Sequence, residues 1–395
     1  MLKVATADEN VKTGKKDFVM TGVLEGIRIL EFAGIGPAPF CGMMLADHGA
    51  DVIRISRRGA QEDLRDPLLR GRRSIELDLK KPEAREVIFD LVQSSHGLIE
   101  GFRPGVMERL GLGPEPVMSK KSDFVYGRMT GWGQYGPYAA AAGHDINYIA
   151  LSGVLHMIGP PNQKPVPPLN LVGDFGGGGM MLAFGMVSAL LGVKNGKPGQ
   201  VIDCAMTDGS AALSAVIWSL PERGIWQDER GVNLLDGGAH FYDTYETKDG
   251  KWISIGSIEP QFYALLREKT GLTDDPEFDA QRDTAAWPKL KEKLAAIFLK
   301  KTRDEWCALM EETDVCFAPV LSMTEAPEHP HNKARNTFVS VNGIPQPSPA
   351  PVFSAAKSRS PSAPCDIGAH TGELLEEIGY SPDRIEELRT KEISN

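Results

Sequence analysis

The stretch that most restricts the fold runs from Val23 to Ile55. Val23 to Phe32 (VLEGIRILEF) is an apolar run suited to a buried strand. A glycine- and proline-rich loop follows from Ala33 to Pro39, then a helix is expected from about Phe40 to His48. Ala50 to Ile55 (ADVIRI) reads as a second strand. A strand, loop, helix and strand in succession make a βαβ unit, and such units build parallel sheets covered by helices. Later segments extend the pattern. Ser74 to Leu79, Leu98 to Glu100 and Phe124 to Met129 are short strand candidates, and Pro82 opens a helix whose apolar face is Val87, Ile88, Leu91 and Val92. The fold class expected is α/β, a Rossmann-like large domain with a parallel sheet.

At 395 residues the chain has room for two or three domains. Residues 1–21 are polar and read as an N-terminal extension, and residues 22–228 as the first part of the large domain. Residues 229–331 change character. They hold hairpin-like alternation from Phe241 to Thr247 and Trp252 to Gly256 around Asp249-Gly250. Two amphipathic helices follow, the second with the capping box Thr302-x-x-Glu305. That is the expected small α+β domain. Residues 332–395 return to complete the large one. Their proline-rich part, 343–364, is expected as an extended surface segment, with a last helix near Thr371 to Ile378.

The longest apolar run, Met180 to Val193, is too short to span a bilayer and reads as a core helix. No signal, transit or peroxisomal C-terminal motif is seen, so a cytoplasmic location is expected. The five cysteines have neither CxxC nor zinc spacing, so reduced thiols and no metal site are expected. A net charge of −10 argues against a general nucleic-acid partner.

Within that acidic chain, seven arginines (54, 57, 58, 65, 70, 72 and 73) follow the second strand. Arginine presents a planar fork suited to phosphate, and ligands of open α/β sheets bind at the carboxyl ends of strands. Glu62, Asp63 and Asp66 lie among the arginines, so surface ion pairing is the competing explanation. The loop Gly34-Ile35-Gly36-Pro37-Ala38-Pro39 lacks the third glycine of GxGxxG. Ser56-Arg57-Arg58 stands where an NAD site needs an acid. NADP or another ligand with a ribose phosphate, such as coenzyme A, fits better.

Three polar positions sit in apolar or glycine-rich surroundings: His144 (GHDINY), Asp174 (LNLVGDFGGGG) and Glu259 (GSIEPQFY). Asp174 follows a strand-like run and precedes a helix, where backbone N–H groups can hold an anion and a low dielectric can raise a carboxyl pKa. Taken singly, each has a plainer role as a cap, a hydrogen-bonded histidine or a first-turn acid. Together, an imidazole and a carboxylate in glycine-lined segments suit proton transfer at carbon. GxSxG, HExxH and a reactive-cysteine signature are absent, which leaves covalent serine or cysteine chemistry with little support.

Gly36-Pro37-Ala38-Pro39-Phe40, Leu45-Ala46-Asp47 and Gly49-Ala50-Asp51-Val52-Ile53-Arg54 resemble the opening of the family III coenzyme A transferases, the CaiB/BaiF family. Gly143 to Tyr148, Pro168 to Phe175, Leu235 to Ala239, Ile258 to Tyr263 and Asp314 to Val320 are similar to its α-methylacyl-CoA racemase branch. The resemblance runs from about Leu24 to Ile378. It implies inversion at C2 of a 2-methylacyl-CoA thioester, with His144 and Asp174 as the two acid/bases. Glu259 matches a carboxylate of the catalytic group. Asp145 aligns with the nucleophilic aspartate of the transferases, which makes an acyl-CoA:carboxylate CoA transferase the alternative. Arg57 matches a contact to the adenosine phosphate. Arg70, Leu77, Asp78, Leu79, Lys80, Gly101, Phe102, Arg103, Arg109, Gly143, Ile146, Asn147 and Tyr148 match coenzyme A contacts. The resemblance also implies an interlocked homodimer with active sites between domains of both chains, no membrane partner, and no cofactor beyond the coenzyme A of the substrate.

Overall fold

A computed structural model describes residues 22–395 apart from Lys357 and Arg359; the expected N-terminal extension lies outside the described residues. Six strands form one parallel sheet: β1 (Arg28–Phe32), β2 (Asp51–Arg57), β3 (Arg72–Leu77), β4 (Gly97–Glu100), β5 (Val125–Thr130) and β6 (Val201–Ala205). Their order is β3-β2-β1-β4-β5-β6. The chain therefore builds outward in one direction from β1 and in the other from β4, so a crevice opens where the order reverses.

Helices cover both faces. Leu30 and Phe32 of β1 point into a core with α2 (Pro82–Gln93), α3 (Val106–Arg109), α4 (Pro114–Lys120), α12 (Thr371–Glu377) and α13 (Pro382–Thr390). Ile29, on the opposite side of the same strand, packs with α1 (Pro37–Asp47) and α6 (Met181–Lys194). Successive side chains of a strand face opposite ways, and a sheet buried on both sides must be apolar on both. Helices α5 (Asp145–Leu151) and α7 (Met206–Leu213) flank the crevice.

Beyond them, β7 (Tyr242–Glu246), β8 (Trp252–Gly256) and β9 (Phe317–Val320) form an antiparallel sheet. It packs against α8 (Pro260–Thr270), α9 (Trp287–Phe298) and α10 (Arg303–Met310) through an aromatic core that includes Phe241, Tyr245, Phe298 and Trp306. The capping box forms: Thr302 N donates to Glu305 Oε2 at 2.7 Å, and Glu305 N donates to Thr302 Oγ1 at 3.2 Å. Helix α11 (Pro330–Arg335) precedes the hairpin of β10 (Phe338–Val341) and β11 (Ile344–Pro347).

Several elements differ from the sequence reading. Val23 to Ile27 turn rather than extend, because Gly26 takes φ +84° and Leu24 N–H is drawn to the carbonyl of His48. Three helices, not two, follow β8, and a second C-terminal helix, α13, is present. The proline-rich segment contributes strand β11, whose Gln346 is buried. The largest difference concerns Leu171 to Met180. This run is a wide-turned π-helix that continues directly into α6, not a strand and a glycine loop. Together they make a 24-residue helix, Leu171–Lys194, long and apolar enough to cross a membrane by length and composition. Here it packs on the parallel sheet, where Leu182, Ala183, Met186 and Ala189 are buried. Its glycines have a packing cause. A Cβ on Gly177 would stand 2.6 Å from Ser210 N in α7, and one on Gly179 would stand 2.7 Å from the Pro37 carbonyl in α1. The run sinks between two helices only because it lacks side chains there.

Candidate active site

Asp174 sits in the π-helical run. Its backbone N–H donates to Asp145 Oδ1 at 2.7 Å, and its Oδ2 accepts from Asn170 Nδ2 at 3.2 Å. Burial raises its carboxyl pKa. The Asn170 hydrogen bond opposes that rise, and the neighbouring charge of Asp145 adds to it. The sequence reading passed over Asn170. Its signal is the spacing of four to Asp174, which places both on one face once the segment is read as helix.

His144 is the N-cap of α5 and is exposed. Asn147 Oδ1 accepts its backbone N–H at 3.0 Å. The Tyr148 hydroxyl donates to the Gly143 carbonyl, and its ring meets Trp132 edge-on at 4.8 Å. That ring fills the space a side chain at Gly143 would need, which fixes the backbone entering His144. His144 and Asp174 line one cavity of about 350 Å³ together with Gly36, Gly101, Phe102, Arg103, Gly143, Tyr148 and Trp132. Gly36 has φ +69°, and a Cβ built on it would stand 3.5 Å from Asp174 Oδ2. Glycine is therefore required there by conformation, and the absent side chain leaves room beside the carboxylate.

Asp145 does not line this cavity. It is 6% exposed, and its Oδ2 is buried with no hydrogen-bond partner among the described residues. A nucleophile must reach its electrophile, and this carboxylate faces the backbone of Gly173 and Asp174 instead.

A second cavity, about 930 Å³, shares Ile35, Gly36 and Phe102 with the first. It is lined by Arg54, Arg57, Arg58, Asp78, Leu79 and Lys80, among others. The arginine cluster divides sharply here. Arg54 and Arg72 share buried Glu31, and Arg70 is bound to Asp47. Arg73 pairs with Asp51, Glu373 and Glu377, and Arg65 pairs with Asp63. Arg58 reaches Glu392 at 3.4 Å. Arg57 alone of the seven makes no ion pair among the described residues, and it faces this cavity beside Lys80. Most of the apparent basic patch is thus structural.

Other expected contacts separate in the same way. Arg70 is 2% exposed and donates to Asp47, to Gln346 Oε1 at 2.7 Å and to the Pro347 carbonyl at 2.8 Å, so it ties the β10–β11 hairpin down. The Leu77 side chain belongs to the sheet core. Ile146, Asn147 and Arg109 line neither cavity. Glu259, the N-cap of α8, also lies outside both, near Cys316. Among the described residues no cluster of His, Cys, Asp or Glu is arranged to hold a metal ion.

The chain matches the family model described as CoA-transferase family III over residues 24–371. It is 46% identical to α-methylacyl-CoA racemase of Mus musculus over 94% of this chain and 97% of that protein. Against α-methylacyl-CoA racemase of Homo sapiens it is 45% identical, with the same coverage of each. Among solved structures it is similar to Rv3272 of M. tuberculosis, with TM-score 0.76 and 25% identity, covering 90% of this chain and all of that one. With the family model matched over most of its length and these relatives alike nearly end to end, the chain belongs to the family III CoA-transferases.

Proposed function

We propose that this protein inverts C2 of 2-methylacyl-CoA thioesters, with His144 and Asp174 as the two proton-transfer groups. The observation that carries this reading is their position in one cavity, which shares Ile35, Gly36 and Phe102 with a larger one presenting Arg57 and Lys80. The anionic nucleotide end of coenzyme A suits the larger cavity and the thioester the smaller. One unprotonated base removes the C2 proton, and the C–H electron pair becomes the enolate. The other group, protonated, returns a proton to the opposite face. Two groups are needed, since a single base returns the proton to the face it left. Imidazole, with a reference pKa of about 6.5, serves in either protonation state near neutrality. A carboxyl raised by burial holds its proton more readily, which suits Asp174 as a donor. The two groups end with exchanged protonation states, which proton exchange with water resets, and neither step changes an oxidation state, so the cycle calls for no redox cofactor.

The transferase alternative needs Asp145 to attack the thioester. Its buried, backbone-bound carboxylate speaks against that. We further propose that the working unit is a dimer whose second chain supplies Glu259, since within one chain Glu259 stands apart from His144 and Asp174. Large apolar side chains left open, Phe184 at 72% and Trp218 at 64% exposure, support a second copy covering them.

The test is incubation of one epimer of a 2-methylacyl-CoA in deuterium oxide. Deuterium at C2 and appearance of the other epimer are expected. An unlabelled, uninverted thioester overturns the reading, and an acyl-aspartate trapped by hydroxylamine would favour the transferase.

A further inference from the structure

Two buried carboxylates lie at or one residue before the ends of neighbouring strands, on either side of the point where the sheet order reverses. Glu31 lies on β1 and Glu100 closes β4, and both are fully buried. Each faces an arginine in register on the next strand outward: Glu31 opposite Arg54 of β2, Glu100 opposite Arg128 of β5. Each pair then extends to the loop that leaves its own strand. Arg54 is bound to Glu31 and donates to the Gly34 carbonyl at 3.2 Å. Glu100 accepts Arg128 Nε on one oxygen at 2.8 Å and the Phe102 N–H on the other at 2.7 Å. Arg128 also donates to Glu108 in α3 at 2.8 and 3.2 Å, which holds the far end of the same loop.

These two loops are the lips of the crevice. The first carries Gly36, beside Asp174. The second carries Phe102, which lines both cavities and meets Phe32 edge-on at 6.2 Å. Burying an ion pair costs desolvation that an apolar pair of similar volume avoids, so shape alone does not call for charge here. What the charged groups add is directional hydrogen bonding to backbone atoms of the lips. We propose that the Glu31–Arg54 and Glu100–Arg128 pairs are positioning residues: they set the separation of the two lips and thereby where the thioester lies between His144 and Asp174. This rests on the proton-transfer reading above. A displacement of about 1 Å at such a site lowers turnover by up to about a hundredfold.

Glu100→Gln keeps the shape of the side chain and removes its charge; Arg54→Lys keeps charge but loses the three-nitrogen fork that binds Glu31, Glu62 and the Gly34 carbonyl. For both, the C2 exchange rate at saturation is expected to fall about ten- to a hundredfold. In Glu100→Gln, KM for the same thioester should change by less than about threefold, because Arg54, Arg57 and Lys80 of the larger cavity are untouched. Cooperative thermal unfolding should persist. Should Glu100→Gln fail to fold, Glu108→Gln frees only the far end of the second lip, and a smaller fall in turnover at unchanged KM is expected. Folded variants with wild-type turnover overturn the inference, as does a rise in KM without loss of turnover. A wild-type protein that exchanges no C2 proton overturns instead the reading on which it rests.

Discussion

The parallel sheet and the antiparallel one are stabilised by different means. Around β7, β8 and β9 the interior is aromatic: Trp306 meets Phe298 edge-on at 5.0 Å, and Phe241 meets Trp287 and Tyr263. Its buried guanidinium, Arg303, lies at the start of α10 and is paired with Glu325. In β1, β2, β4 and β5, by contrast, Glu31, Arg54, Glu100 and Arg128 are buried, with Arg72 at the start of β3 beside them. Apolar contact is non-directional and fixes compactness; charged hydrogen bonds have fixed partners and fix where a loop sits. The two regions should therefore fail differently when cut.

The largest effect belongs to the crevice. His144→Ala or Asp174→Ala removes one of two required proton carriers, and C2 inversion is expected to fall by about two to four orders of magnitude. Thermal unfolding should hardly change, since His144 is exposed and Asp174 is only half-buried. Full inversion by either variant would refute the pairing. The opposite pattern is expected in the aromatic core. Trp306 is 2% exposed, and its indole N–H donates to the Phe298 carbonyl at 2.8 Å. Trp306→Ala leaves a cavity and takes away the shorter of the two hydrogen bonds to the Phe298 carbonyl, a loss of about 3–5 kcal/mol measurable by denaturant unfolding. The fraction that remains folded should turn over substrate at nearly the wild-type rate. A variant equally stable but inactive would erase the contrast between the regions.

Legibility in the sequence follows the same division. The βαβ opening was readable because β1 and β2 carry apolar residues to both faces, Ile29 and Leu30 in one and Val52 and Ile53 in the other, and the loop between them carries its own glycine and proline punctuation. The hairpin of β7 and β8 was readable from its alternation around Asp249-Gly250. The glycines after Asp174 misled because glycine is the poorest ordinary helix former, and only the approach of α1 and α7 makes it necessary there. The arginine cluster misled for a related reason. Arg70 and Arg57 have the same side chain, and what separates them is Asp47 and the hairpin holding Gln346, the latter 276 residues away in the chain. His144 and Asp174 stood out as residues, but not their shared cavity. Thirty positions and a change from α5 to the π-helical run lie between them, and only the tertiary fold closes that gap.

The smallest expected effect is the most discriminating within the crevice. Asp145→Asn keeps a side-chain oxygen to accept the Asp174 N–H and removes the negative charge beside the Asp174 carboxyl. A nearby negative charge raises a carboxyl pKa, so its removal lowers that of Asp174. In the direction where Asp174 donates, its protonated form is required, and activity is lost as pH rises through its pKa. That limb should move to lower pH in Asp145→Asn. In the reverse direction Asp174 must be ionised, activity is gained as pH rises through the same pKa, and this limb should also move to lower pH. Measured as kcat against pH from each epimer separately, both shifts have one sign while inversion itself persists. A nucleophilic Asp145 predicts something else altogether: no activity at any pH. Limbs that stay where they are in the wild-type protein would mean that the charge of Asp145 is not felt at Asp174, and that its carboxylate serves only the backbone of the π-helical run.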